Sequence, residues 1–159
     1  MDLAFSIVSG KNSMQIQTGL NIYNFLFTHL SNELSSFNDK FVEIFKHCLD
    51  NEDLNIAYSA LGAVSNYLSI AQSKYTISYK PCLEGMVKVP LRALEAGDEQ
   101  IIEDSLVEFN NIAEAEPKFF VDNFKELFLF FTKLVEKNDY DNMSIRHQPV
   151  EFLVSIIDR

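Results

Sequence analysis

Apolar residues recur along this chain at steps of three and four, the spacing that gathers them on one face of an α-helix. Polar turns cut the pattern into segments. The first helix is expected from about Met14 to Leu30, with Ile16, Leu20, Tyr23, Phe27 and Leu30 on one stripe. Residues 37–49 carry Phe41, Ile44, Phe45, Cys48 and Leu49, and residues 53–71 carry Ala57, Ala60, Leu61, Val64 and Leu68. Residues 79–95 follow with Leu83, Val87, Pro90, Leu91 and Leu94. Residues 98–115 set Ile102, Leu106, Phe109 and Ala113 against a polar side of Glu99, Glu103, Asn110 and Glu114. The last two segments are 117–137, with Phe120, Phe124, Leu127, Phe131 and Leu134, and about 142–158, with Ile145, Phe152, Leu153, Ile156 and Ile157.

Local chemistry refines these helices. Asp53 is suited to cap the helix that follows it, since its carboxylate accepts the free first-turn amides. Gly62 lies mid-helix, where it costs about 1 kcal/mol relative to Ala, so a close helix contact is expected there. Pro90 removes a backbone donor and is expected to kink its helix. Pro117 suits a first helical turn. Pro149 either kinks the last helix or opens its regular part.

The segments pair. Three times an apolar helix runs into an acidic or amide-rich turn and a second helix follows. The last Asp of each turn is Asp53, Asp98 and Asp141, about 45 residues apart, within the roughly 40–47-residue period of HEAT and armadillo arrays. The expected fold is therefore all-α: a HEAT-repeat α-α superhelix, a solenoid of about three helix pairs plus a leading helix. It forms a single array over 1–159, with a partial repeat at 1–31 and repeats at 37–71, 79–115 and 117–158. The chain starts in what looks like a helix tail and stops without a capping element. Solenoids need polar end repeats, so the sequence reads as a piece of a longer array, with Phe5, Ile7, Ile156 and Ile157 uncovered.

Composition narrows the function. Five Gly and four Pro are too few for the turns of an all-β fold, and the 14 Phe fall at helical spacings that assign them to the core. A formal net charge of −10 argues against nucleic acid and anionic membrane as partners and favours basic ones. Cys48 and Cys82 lie in helix patterns without CxxC spacing, as expected of free buried thiols in a reducing compartment. No stretch has the length of a membrane span.

No motif carries chemistry. His29, His47 and His147 are scattered, so no metal site is expected, and no P-loop, GxSxG or GxGxxG occurs. Neither catalytic residues nor cofactors are expected. The strongest binding signal is the acidic edge of the helix at 98–115, where Glu103, Asp104 and Glu108 crowd a polar face. Like charges at i,i+4 oppose helix formation; a chain that tolerates them can use the field to draw basic segments. Leu129 falls opposite the Phe120–Phe131 stripe as an off-core apolar residue.

The order of local words resembles the importin-beta superfamily, most nearly the karyopherin beta-3, or importin five, type. The words are Ala60-Leu61-Gly62-Ala63-Val64 in a second helix, Leu94-Glu95-Ala96-Gly97-Asp98-Glu99 across a turn, and Ile112-Ala113-Glu114-Ala115-Glu116-Pro117-Lys118-Phe119-Phe120 at a join between repeats. Arg146 with Val150-Glu151-Phe152-Leu153-Val154 resembles the closing helix. The resemblance spans about Met14 to the end. It implies a fragment of a nuclear transport receptor that shuttles between cytoplasm and nucleus through the nuclear pore. Basic cargo would bind the inner second-helix side, here Glu103, Asp104 and Glu108, and Ran-GTP would release it from the full-length protein. Phe-Gly nucleoporins would enter a groove between outer first helices, here at Leu129, Val89 and Cys82. The alternatives are a HEAT scaffold of another complex, such as a phosphatase scaffold or chromosome-organising protein, and, from another class, a small helical enzyme, which would need a deep polar cleft.

Overall fold

The computed structural model describes residues 10, 12–71, 73–136 and 143–157. The elements are α1 (Ser13–Leu34), a 3-10 turn (Ser35–Phe37), α2 (Asn38–Leu49), α3 (Leu54–Ile70), and α4 (Ser73–Thr76) running into a 3-10 segment (Ile77–Cys82). Then come α5 (Leu83–Ala96), α6 (Glu99–Ala115), α7 (Lys118–Val121), α8 (Phe124–Glu136) and α9 (Met143–Ile157). Among the described residues there is no strand.

The helices stack in two rows. α1 packs on α3, α3 on α6 and α6 on α9, which makes a continuous row of second helices, the B row. Beside it run α2, then the 3-10 segment with α5, then α7 with α8: the A row. Within pairs α2 packs on α3, α5 on α6 and α8 on α9. Each pair is held chiefly by its sequence neighbours, the quasi-linear packing of a solenoid. The all-α superhelix expected from the period is the fold observed.

Aromatic clusters fill the two halves of the interior. Phe27 meets Phe41 and Tyr67 with ring centroids 5.1 and 4.9 Å apart, and Tyr67 stacks on Tyr79 at 4.7 Å. In the other half Phe152 meets Phe120 at 4.9 Å and Phe131 at 4.5 Å. Burying such rings contributes about 1.5–3 kcal/mol each. α1, α2 and α6 enclose most of α3 and leave one polar stripe open, Asn55, Ser59, Gly62, Asn66 and Ser69.

The turns follow their polar residues. Asn12 Oδ1 accepts from the Met14 amide at 3.0 Å and opens α1. Asp53 accepts from the Asn55 amide at 3.0 Å and also from the Ser13 hydroxyl, so the cap of α3 is tied to the start of α1. Those bonds hold its pKa below the usual carboxylate value, the Ser13 bond most of all. Asp98 accepts from the Ile101 amide at 3.1 Å. Gly97 ends α5 at φ 72°, a left-handed conformation suited to glycine. The third turn, with Asp141, lies outside the described residues, as do Phe5 and Ile7. Of the expected uncovered residues, Ile157 is 67% exposed, whereas Ile156 packs partly against the core.

Several expectations are corrected. α1 continues to Leu34 with a non-helical Leu30 (φ −134°, ψ 27°), which leaves Leu30 exposed. The third A helix is divided at Asp122-Asn123 into α7 and α8. Pro149 lies inside α9, which starts six residues earlier, at Met143. A Cβ on Gly62 would meet only Glu108 Oε1, at 3.8 Å, so no tight helix contact explains that glycine. The tight contact belongs to Gly85, where a Cβ would stand 2.8 Å from Leu49 Cβ. Asn110, expected on the polar side, is buried against α9, where its Nδ2 donates to the Gln148 carbonyl at 3.2 Å.

The second A helix carries the largest correction. Its inward residues are Cys82, Leu83, Met86, Val89, Pro90 and Ala93, while Val87, Leu91 and Leu94 sit at the edge. The 3-10 segment winds three residues per turn rather than 3.6. Within α5 two apolar stripes adjoin, Leu83-Val87-Leu91-Leu94 and Met86-Val89-Pro90-Ala93, and spacing alone does not say which faces the core.

Candidate binding surfaces

Among the grooves on the described residues, one on each row bears on binding. The first, of about 660 Å³, runs across α1, α3 and α6 on the B row. Helical spacing builds it. Gly62, Asn66 and Ser69 share a face of α3, and Glu108, Asn111 and Ala115 share a face of α6. Asn24 of α1 closes one side. The Asn66 Nδ2 donates to the Asn24 carbonyl at 3.0 Å, Asn24 Oδ1 at 2.7 Å and Thr28 Oγ1 at 3.2 Å. Ser65 Oγ donates to the Glu108 carbonyl at 3.1 Å, and Asn111 Nδ2 reaches Glu108 Oε2 at 3.4 Å.

Glu108 is thus not a freely solvated charge. It is half-buried, and desolvation raises its carboxyl above the usual value, with Asp104 adding to the rise. Asp104 stands one turn earlier on α6 and accepts from Tyr58 Oη at 3.2 Å and from Gln100 Nε2 at 2.9 Å. Burial first, then Asp104 and Glu108, push the Tyr58 phenol up to about 12. Of the three acidic residues singled out from sequence, Asp104 and Glu108 share one electrostatic neighbourhood, and Glu108 lines the groove. Glu103 is partly exposed on the same helix and does not line it.

The second groove, of about 370 Å³, lies on the A row between α5 and α8. Leu83, Val87, Leu91 and Leu127 line it, flanked by Glu84, Lys88, Asn123 and Glu126. A groove between the second and third A helices was expected, but with other walls. Val89 and Cys82 are fully buried in the core, so neither can touch a ligand there. Leu129 is 52% exposed but stands about 200° around α8 from Leu127, outside the lining. Lys88 reaches Asp50 at 3.2 Å and Glu84 at 2.9 Å, and Arg92 Nη2 donates to the Glu52 carbonyl at 2.7 Å, clasping adjacent repeats beside the groove.

The remaining reactive groups are placed as follows. Burial pushes the Cys48 thiol up to about 11 and that of Cys82 to about 12, away from the thiolate form that reacts. His29, His47 and His147 are exposed. Among the described residues no cluster of His, Cys, Asp and Glu is arranged to hold a metal, and no helix is long and apolar enough to cross a membrane. The residues missed from sequence are Asn24, Asn66 and Asn111. Their signal was present, since they recur at the repeat interval on successive B helices.

Stacked helix pairs with a polar groove along one row and an apolar groove along the other define a HEAT-type α-solenoid. A family model described as "IPO5-like, TPR repeats" matches residues 1–130, and the chain belongs to that family, within the importin-beta superfamily. The interval of about 45 residues is that of HEAT rather than the roughly 34 of TPR repeats. Among solved structures, a triple mutant of the karyopherin Kap121p superposes with TM-score 0.75 at 16% identity, covering 96% of this chain and 14% of that one. Kap121p bound to the extreme C-terminus of the protein phosphatase Cdc14p also gives 0.75 at 16% identity, covering 96% and 15%. An engineered protein gives 0.69 at 16% identity, covering 98% and 61%. The chain therefore spans about one seventh of the Kap121p chains it matches. No curated protein matches the sequence.

Proposed function

We propose that this chain is a cargo-binding segment of a nuclear import receptor, one that shuttles between cytoplasm and nucleus and acts by binding, without catalysis. The observation that carries the reading is the open polar groove on the B row of an IPO5-like solenoid. A groove across successive helices suits an extended segment, and Kap121p is a relative in fold that holds a protein's extreme C-terminus. The acidic balance of the chain favours basic cargo. On the A row, the apolar walls Leu83, Val87, Leu91 and Leu127 suit the Phe rings of Phe-Gly nucleoporins. One ring contributes roughly 1.5–3 kcal/mol when fully buried, so binding would be weak per site and would depend on repetition. Ran-GTP would act on the full-length protein to release cargo.

The test is import into permeabilised cells. Full-length protein with Ran and an energy source should carry a fluorescent reporter bearing a basic segment into nuclei. Exclusion of the reporter despite binding in solution would sink the transport reading.

A further inference from the structure

We propose that Lys80 is a latch across the A row: through Asp122 it holds the start of α8 beside α5 and so sets the width of the apolar groove between them. This concerns the A-row site of the Phe-Gly reading and rests on that reading only for the ligand.

The joint between the second and third repeats is uneven. On the B row α6 packs closely on α9, while on the A row α5 and α8 touch little. The groove of about 370 Å³ takes the space between them. The preceding A-row joint is different. There Gly85 brings α5 so close to α2 that a Cβ would stand 2.8 Å from Leu49 Cβ. Lys88 and Arg92 add their bonds to the turn at Asp50 and Glu52. The third pair is thus fixed along the B row and free to swing on the A row, unless a contact spans the gap.

Lys80 spans it. It stands in the 3-10 segment that leads into α5, and its Nζ reaches Asp122 Oδ2 at 2.8 Å, at the break between α7 and α8. The ammonium also lies 5.9 Å from the centre of the Phe119 ring, within the range of a cation–π attraction. The Lys80 side chain is 21% exposed and that of Asp122 77%. A cation so covered is screened less by salt than one on the open surface. A stem already placed over a buried ring also loses less freedom on pairing than a free surface lysine does. Both ends of the latch adjoin groove walls. Leu83 follows Lys80 by three residues, Asn123 follows Asp122 directly, and both line the groove. A shift at the latch is therefore a shift in groove width, and walls held in place spare a bound ring the cost of gathering them.

The test uses nitroxides at Ile77→Cys and Lys125→Cys, both exposed positions on either side of the latch. Pulsed electron resonance reads their separation in the full chain, where Cys48 and Cys82 are buried and take no label. Lys80→Met keeps the stem over Phe119 and removes the charge; Asp122→Asn alters only an exposed group. Each should move the distance distribution to longer separations. The double variant should move it no further than either alone, because the two residues act as one unit. Each should also weaken binding of a multivalent Phe-Gly peptide about threefold or more, with the circular dichroism melt little changed. Lys74→Met removes a lysine that lies over its own neighbour Tyr75, 4.6 Å from the ring centre, and should change neither reading. An unchanged separation in Lys80→Met and Asp122→Asn overturns the latch, as does an additive change in the double variant or an equal change in Lys74→Met. Longer separation with binding unchanged overturns its hold on the site. A chain that does not bind the Phe-Gly peptide at all overturns the nucleoporin reading, and the distances still decide the latch.

Discussion

Glu108 carries a charge where the fold would do better without one. Its raised carboxyl pKa means that the folded chain binds the proton more tightly than the unfolded chain does. The sign follows. The contribution of Glu108 to stability is greatest while it is protonated and falls as pH rises through its folded pKa. Glu108→Gln is thus expected to raise the melting temperature at neutral pH. That advantage should shrink as pH falls toward the ordinary glutamate value of 4.5. Scanning calorimetry of both proteins across that range checks it, and a destabilised variant at neutral pH would contradict the account. A perturbed group that costs stability is a common mark of function. The two helical glycines give a paired expectation. Gly62→Ala should be neutral or stabilising by up to ~1 kcal/mol. Gly85→Ala should destabilise by roughly 1–3 kcal/mol, because its Cβ would press on buried Leu49. Urea unfolding measures both. From sequence, Gly62 had been assigned the close contact that Gly85 makes. A lone helical glycine signals that space matters but not whether a neighbouring helix or a groove occupies it.

At the scale of elements, the B helices were legible and the A helices only in part. Ile102, Leu106, Phe109 and Ala113 are buried as their period required, and so are Ala57, Ala60, Leu61, Val64 and Leu68. These helices are regular and begin at aspartate caps, so one wheel describes each. The A helices begin irregularly, with the 3-10 segment Ile77–Cys82 before α5 and the break at Asp122-Asn123 before α8. In α5 apolar residues also stand on two adjoining stripes, so spacing assigns Val87 and Leu91 to the core and Val89 to the groove, the reverse of their places. The groove's consequence is testable with Val87→Asp. This substitution should weaken binding of a multivalent Phe-Gly peptide while costing little stability, since Val87 is only partly buried. A Leu129→Asp variant should leave Phe-Gly binding unchanged. Binding lost at Leu129 and kept at Val87 would move the site to the far side of α8. The cap of α3 has its own expectation. Asp53→Ala should cost about 1 kcal/mol, read from the urea midpoint.

Across the whole molecule, the array was legible because its period is a covalent fact of the sequence, independent of where each helix faces. The candidate groove was less legible because it is assembled from three helices at once. Asn24, Asn66 and Asn111 recur at the repeat interval, but their common surface shows only when α1, α3 and α6 are laid side by side. Stacking also dictates how stability is distributed. α3 and α6 each pack between two B-row neighbours, so their amides should exchange most slowly with deuterium, and those of α1 and α9 sooner. Uniform protection along the chain would argue against nearest-neighbour stacking. The central claim is that this solenoid serves nuclear transport, and transport receptors are set apart from other HEAT scaffolds by their response to the nucleotide on Ran. The most direct measurement is retention of the full-length protein on immobilised Ran loaded with GTP or with GDP. Selective retention on Ran-GTP, with release of a bound basic cargo, is the expected result; equal retention on both forms, or on neither, would contradict it.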